Sequence, residues 1–375
     1  MRTLAAVFRT RGLPAPYARS RPLEVEEVEL DPPGPGELLI RIDAAGVCHT
    51  DLSIVDGTRV RPLPIVPGHE ACGTVLELGP GARDVAVDDR VVLTFVPSCG
   101  ACAECTAGHP ARCPSALRAN GAGELLGGGT RLRDATGPIR HFGGVSAFAS
   151  HVVVSRGSAV VIDRDVDPAV AALFGCAVLT GVGAVLTTAG VRPGESVAIF
   201  GLGGVGLAAV MGAALAGAHP VIGIDPIAAK RERALQVGAT TVLDPGSTGA
   251  LADLPGGGVD WAFEATGRNG VLAAAYEATK RGGTTVMIGL PSADDRFDVS
   301  ALSFVDRART VVGSYMGSSV PQRDIPRFIA LWRAGRLPVD RLLDGEVPLE
   351  AVNQALDDLR TGAVVRQVLR PGANG

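Results

Sequence analysis

Short apolar runs broken by glycine and proline dominate the first half of the chain. Leu4–Phe8, Glu37–Ile42, Gly73–Leu78, Arg90–Phe95 and His151–Ile162 each read as a strand, because aliphatic and β-branched residues cluster there between turn residues. They predict a β-rich, barrel-like domain up to about residue 178. Near residue 180 the pattern changes. Ser196–Phe200 is a continuously apolar strand, followed by a glycine-rich turn and an apolar helical stretch over 205–215. A strand at Val221–Ile224 leads into a helical pattern over 226–237. Further strands at Trp261–Glu264, Thr284–Leu290 and Val311–Tyr315 surround a helical stretch over 270–281. Such alternation of strand and helix makes a parallel sheet with covered faces. Past residue 318 a helix over 324–334 and short strands return, and these are expected to rejoin the first domain. The expected fold class is α/β: a β-rich domain from residues 1–178 and 319–375, and a doubly wound parallel-sheet domain over 179–318.

Composition narrows the possible functions. A chain of 375 residues with 46% apolar content has material for two cored domains. No apolar run is expected to reach the roughly 20 residues of a membrane span. Leu4–Phe8, interrupted by Arg9 and Arg11, is too short for a signal sequence, so a cytoplasmic location is expected. A net charge of −4 argues against nucleic-acid and membrane-surface partners. The seven cysteines are odd in number, and four of them lie between 99 and 113. Without an export signal, that clustering favours metal binding over disulfides.

Three motifs carry chemistry. Cys99, Cys102, Cys105 and Cys113 have the spacing of a closed four-thiolate zinc shell, which leaves no open position and is therefore structural. A nucleic-acid-binding zinc ribbon is the alternative, and the absence of a basic stripe near the loop counts against it. Gly201-Leu202-Gly203-Gly204-Val205-Gly206 follows a buried strand and opens a helix, the setting that makes this pattern a dinucleotide turn. In that setting Gly201 permits the tight turn, Gly203 the approach of the pyrophosphate and Gly206 the packing of helix on strand. Asp225 ends the next strand, where a carboxylate accepts the ribose hydroxyls and repels a 2′-phosphate, favouring NAD over NADP. Lys230 could reach the same ribose, and it stands out because only Lys230 and Lys280 are lysines among 35 basic residues. Third, Gly68-His69-Glu70 offers His69 as a partner for Cys48 in Gly46-Val47-Cys48-His49-Thr50-Asp51, with Cys176 as a third ligand. Alone, a histidine in a β-rich segment is usually a core residue and a buried cysteine a small hydrophobe, as Cys72 is expected to be. Two thiolates and one imidazole leave a fourth zinc position open for catalysis.

These motifs, with Phe174-Gly175-Cys176-Ala177-Val178-Leu179-Thr180-Gly181, occur in the order found in the zinc-dependent medium-chain alcohol dehydrogenases, which the chain resembles over essentially its whole length. The long segment between Cys113 and His151 resembles the longer, usually dimeric branch that includes glutathione-dependent formaldehyde dehydrogenases. The resemblance implies a GroES-like catalytic domain from both chain ends, a Rossmann domain between them, a homodimer, NAD, and two zinc ions per subunit. It implies that Cys48, His69 and Cys176 bind the catalytic zinc, that Thr50 holds the alcohol hydroxyl, and that Asp51 and Glu70 support the metal from behind. It places Thr180 near the nicotinamide, and His49, Gly204, Val205, Ile288 and Arg366 at the cofactor, Arg366 on its pyrophosphate. Phe95, Phe142 and Leu290 match substrate-pocket positions.

Three residues depart from the pattern. His49 stands where some relatives carry an arginine, and Ser53 where some carry the histidine that ends a proton relay. Serine passes a proton along but does not store one, so release would need water or His49. Gly143, where a bulkier residue is usual, implies a roomier pocket. The expected reaction is hydride transfer between an alcohol and NAD, giving an aldehyde or ketone. The alternative is oxidation of a formaldehyde adduct of glutathione or mycothiol, for which Arg118, Arg131 and Arg133 are candidate contacts.

Overall fold

Apolar positions in Leu23–Leu30 alternate unevenly with glutamates, and this strand pairs antiparallel with Arg2–Phe8, placing Arg2 opposite Glu29 and Phe8 opposite Leu23. With Leu132–Asp134, Gly137–His141 and Ile65–Val66 the two strands close a barrel. A seven-stranded sheet accompanies it, centred on Glu37–Gly46, which pairs with Ala71–Leu78, His151–Ser155 and Gln367–Arg370. Phe8, Leu23, Leu38, Ile40, Ile42 and Phe148, from both sheets and the segment after Gly143, are buried in one core cluster. Each such side chain contributes on the order of 1.5–3 kcal/mol by leaving water. The strand Gln367–Arg370 joins by setting Val368 opposite Gly46, so it lies beside the turn that carries Cys48.

The computed structural model describes residues 1–372, and its contacts divide the chain into two units. The first contains Met1–Cys176, Val320–Pro326 and the chain from Leu343 onward; the second contains Ala177–Ser319 and Arg327–Leu342. Residues 327–342, assigned from the sequence to the first domain, belong instead with the second. The unit boundary falls inside the helix Pro321–Arg333, next to its internal proline, Pro326. The last three positions of the 319–375 span lie outside the described residues.

The second unit is a six-stranded parallel sheet in the order Thr241–Leu243, Val221–Ile224, Val197–Phe200, Val259–Glu264, Thr279–Met287, Thr310–Gly313. The chain builds outward from Val197–Phe200 on one side and then returns to build on the other. The helix Gly204–Ala216 buries nine of its thirteen residues, which is why its sequence is so apolar. The expected helix over 270–281 is shorter, Asn269–Glu277, because Thr279 already opens the next strand.

One long element was not foreseen. Pro168–Ala189 is helical, with π turns at Phe174–Val178 and Ala184–Ala189. It is long and apolar enough to cross a membrane, contrary to the expectation that no such run exists, and 94% of its apolar window is buried within the protein. That burial identifies a core helix. Asp167 caps it, accepting from Ala169 N at 2.9 Å and Val170 N at 3.2 Å, with Pro168 at the first helical position. Asp167→Ala should lower stability by about 1 kcal/mol. Thermal unfolding followed by circular dichroism checks this, and an unchanged midpoint would contradict the cap's role.

Candidate metal centre and dinucleotide turn

Cys48 sits where Glu37–Gly46 ends and the short helix His49–Val55 begins. One carboxylate organises this corner. Asp51, fully buried, accepts from Cys48 N at 3.1 Å through Oδ2, and from Gly68 N at 2.9 Å through Oδ1. The same Oδ1 lies 3.0 Å from His69 Nδ1, which therefore carries the ring hydrogen. The other ring nitrogen, Nε2, is buried and has no hydrogen-bond partner. One ligand atom each from Cys48, His69 and Cys176 lies within 4.8 Å of the others. Cys176 reaches this cluster from the first π turn, a distortion frequent at functional sites.

The electrostatics of the cluster suit a cation. The Cys48 thiol is held well below its usual range, first by its hydrogen bond from Cys176 and then, against burial, by the charges of Arg366 and His69. Cys176 is pushed the other way by the same hydrogen bond and by burial. Burial opposes charge on His69, yet Asp51 and Cys48 together raise its pKa. Surroundings negative enough to hold a proton on a buried imidazole will hold a divalent cation more strongly.

Behind the cluster, Glu70 is buried and pushed up to about 7 by desolvation, with Arg366 pulling against it. Arg366, which the resemblance assigns to the pyrophosphate, is 2% exposed here, donating through Nη1 to Val47 O at 3.1 Å and through Nη2 to Cys48 Sγ at 3.3 Å. Its Nε lies 3.2 Å from Glu70 Oε1, close enough for an ion pair but not aligned as a hydrogen bond. In this structure the guanidinium serves the thiolate corner.

Around the open side, Thr50 is half-buried and His49 exposed. Ser53 Oγ donates to the Thr50 carbonyl at 2.7 Å, so its hydrogen is committed to the backbone. Phe95 and Phe142 meet the His69 ring edge-on, both with centroids 5.6 Å away. Gly143 does not add room in the way its size suggests. Its φ is +59°, and a Cβ there would stand 3.0 Å from His69 Cβ and 3.1 Å from Phe95 Cβ, so glycine lets the backbone close on the histidine. Cys72 is a core residue whose thiol burial pushes up in pKa.

Cys99, Cys102, Cys105 and Cys113 also place their sulfurs within 4.8 Å of one another, and all seven cysteines are free thiols. Backbone N–H groups of Ala101 and Cys102 lower the Cys99 pKa to about 6, while burial raises Cys105 to about 12. A loop that aims amides at one of four clustered sulfurs is built for thiolates.

In the second unit, Gly203 caps the helix Gly204–Ala216, and a Cβ on Gly206 would fall 1.8 Å from Gly201 O. Only glycine allows that approach of helix to strand. Asp225 is 6% exposed, accepting from Leu202 N at 2.8 Å and Ile227 N at 2.9 Å. Its carboxylate thus ties the glycine turn to the end of the neighbouring strand. Arg231, which sequence reasoning passed over, donates to Asp225 O at 2.6 Å and lies 3.3 Å from Asp244 Oδ2. Lys230 beside it is half-buried. Thr180 is buried with no partner for its hydroxyl, Ile288 is 7% exposed, and Leu290 is 43% exposed.

Comparison with known proteins agrees with this construction. Residues 34–164 match the family model for the alcohol dehydrogenase GroES-like domain, and residues 204–333 that for zinc-binding dehydrogenases. The geraniol dehydrogenase of Castellaniella defragrans is 40% identical, over 93% of this chain and 94% of its own. The NDMA-dependent alcohol dehydrogenase of Amycolatopsis methanolica is 36% identical over 100% of both chains. Among solved structures, an alcohol dehydrogenase zinc-binding domain protein from Burkholderia ambifaria superposes with a TM-score of 0.92 at 36% identity, covering 99% of each chain. The benzyl alcohol dehydrogenase of Acinetobacter calcoaceticus does so with a TM-score of 0.91 at 29% identity, again over 99% of each. The chain is an alcohol oxidoreductase that belongs to the zinc-containing medium-chain alcohol dehydrogenases.

Proposed function

We propose that this protein is an NAD-dependent zinc alcohol dehydrogenase that interconverts a small apolar alcohol with its aldehyde or ketone. The observation that carries the reading is the orphaned His69 Nε2, buried beside two sulfurs while Asp51 occupies the other ring nitrogen. A nitrogen buried without a partner costs about 1–3 kcal/mol unless something binds it. Two thiolates and one imidazole are a donor set for zinc. Cys48, His69 and Cys176 would hold the catalytic ion, and Cys99, Cys102, Cys105 and Cys113 a structural one.

When bound, zinc supplies the Lewis acidity that brings an alcohol's pKa towards neutrality, and the nicotinamide supplies the hydride acceptor. The chain's own residues do the rest. Asp51 keeps the proton on His69 Nδ1 and so fixes which nitrogen faces the ion. Thr50 accepts the alcohol's proton at its hydroxyl. Passing it through Ser53 requires that hydroxyl to swing off the Thr50 carbonyl, so His49 or solvent is the terminal acceptor. Phe95 and Phe142 keep water from the imidazole and give the alcohol an apolar wall.

Asp225 would accept the ribose hydroxyls on lone pairs not used by Leu202 N and Ile227 N, with Lys230 as a further contact. Two like charges about 4 Å apart repel by roughly 4 kcal/mol even at a surface-like dielectric, which disfavours a 2′-phosphate. The substrate proposal draws on two relatives named for geraniol and benzyl alcohol, both primary alcohols with an unsaturated carbon next to the carbinol. The thiol-adduct reading is weaker, because two of its candidate basic contacts are already neutralised. Arg131 is clamped by Glu37 at 2.7 and 3.0 Å, and Arg133 is paired with Glu29 and Asp31.

The test is a panel of allylic, benzylic and aliphatic alcohols with NAD or NADP, plus formaldehyde with and without glutathione or mycothiol. The expected result is NADH formation with unsaturated primary alcohols and none when His69→Ala or Cys48→Ala is used; turnover retained in either variant sinks the metal assignment. Activity confined to formaldehyde with a thiol would replace the substrate proposal by the adduct reading. In the same panel Asp225→Ser should raise the NADP-to-NAD efficiency ratio by at least about tenfold, a modest fraction of that repulsion. NAD efficiency itself should fall as the turn loses its tie to Leu202.

A further inference from the structure

Glu264 is a fully buried carboxylate that the chemistry above does not use. It ends the strand Val259–Glu264, with Phe200 opposite it on one side and Met287 on the other. The sheet order reverses between Val197–Phe200 and Val259–Glu264, and in open α/β sheets ligands bind in the crevice beyond the strand ends at such a switch point.

The donors that reach this carboxylate are neutral and come from the residues just after it. Thr266 N donates to Oε1 at 2.6 Å, the Thr266 hydroxyl donates to the same oxygen, and Gly267 N lies 2.9 and 3.1 Å from the two oxygens. Burial pushes the Glu264 pKa up, with those donors pulling against it. Holding a charge-bearing group here is a costly way to close a turn, since a buried carboxylate is disfavoured unless its bonds are well made.

What the turn touches suggests the return. The Thr266 methyl lies 2.4 Å from where a Cβ on Gly201 would stand, so it packs directly on the glycine turn. Glu264 Oε2 lies 2.6 Å from the corresponding point on Gly289, and the Glu264 carbonyl accepts from Ile288 N at 2.8 Å and Gly289 N at 3.0 Å. One residue thus fixes three strand ends: the glycine turn through Thr266, its own turn through the carboxylate, and the 288–290 segment through its carbonyl.

We propose that Glu264 is a positioning residue for the dinucleotide, setting the spacing between the glycine turn and the Ile288–Leu290 segment. The proposal rests on the reading of this unit as the NAD site. Glu264→Gln keeps the size of the side chain but turns one acceptor oxygen into a donor facing Gly267 N. Thr266→Val keeps the shape of the residue and removes only its hydroxyl.

The experiment is a fluorescence titration of the zinc-loaded, full-length protein with NADH, alongside steady-state kinetics with NAD. Glu264→Gln is expected to raise the NADH Kd and the NAD KM about tenfold, the effect of one lost charge-assisted hydrogen bond. The fall in kcat should be much smaller than the rise in KM. Thr266→Val should move both in the same direction by less. Zinc content serves as the control, because both cysteine clusters lie in the other unit. Wild-type Kd in both variants, even with a lower unfolding temperature, would overturn the proposal and leave Glu264 as a strand-end packing residue. If Glu264→Gln does not fold, Thr266→Val decides by the same criterion. A wild-type protein that binds no dinucleotide would instead overturn the NAD reading, and this inference with it.

Discussion

The metal corner depends on one carboxylate bonded three ways. Asp51 joins Cys48 N, Gly68 N and His69 Nδ1, bringing the turn after one strand against the segment before another. Hydrogen bonds to a charged group contribute about 1.5–3 kcal/mol each, and here they also fix a tautomer. With Nδ1 committed, His69 can present only Nε2 to the sulfurs of Cys48 and Cys176. The buried Arg366 adds to this arrangement from behind by donating to the same Cys48 sulfur. The first unit therefore spends its buried polar groups on making one nitrogen and two sulfurs available to a cation.

The second unit uses the same device twice with different partners. Asp225 and Glu264 are carboxylates at the ends of sheet strands, both buried, and both accept chiefly from backbone N–H groups of nearby turns. Backbone donors come without long flexible side chains to order, so they hold a turn at lower entropic cost than an ion pair would. Glycine at 206 lets helix meet strand, and the carboxylates then keep the turns from drifting. Rigid turns on a rigid sheet are what a cofactor site needs.

Much of this was legible in the chain because the decisive signals are local. The four cysteines between 99 and 113 carry their geometry in their spacing, and the strand, glycine turn and helix over 196–215 carry theirs in order. Cys176 is different. Its place just before the nucleotide domain offers it as a third ligand, but its approach to Cys48 depends on a π turn with no pattern in the sequence; the family resemblance then assigns it to the catalytic zinc. The helix around it was missed for a related reason: a helix buried on all sides has no polar face, so it shows no periodicity of 3.6. Leu23–Leu30 was passed over because four of its eight residues are glutamates, none of them buried. The contacts of Arg366 with Val47 and Cys48 join positions more than 300 residues apart, so no local pattern shows them.

The central claim is that two sulfur-containing centres hold zinc in this protein. Zinc-edge X-ray absorption on the purified, metal-replete protein, with metal content per chain, tests it most directly. Two thiolates in one centre and four in the other average to three sulfurs per zinc. The account predicts two zinc ions per chain with about three sulfur neighbours at roughly 2.3 Å and a histidine signature in the remaining shell. One zinc per chain in a shell of four sulfurs, with no histidine contribution, would contradict it.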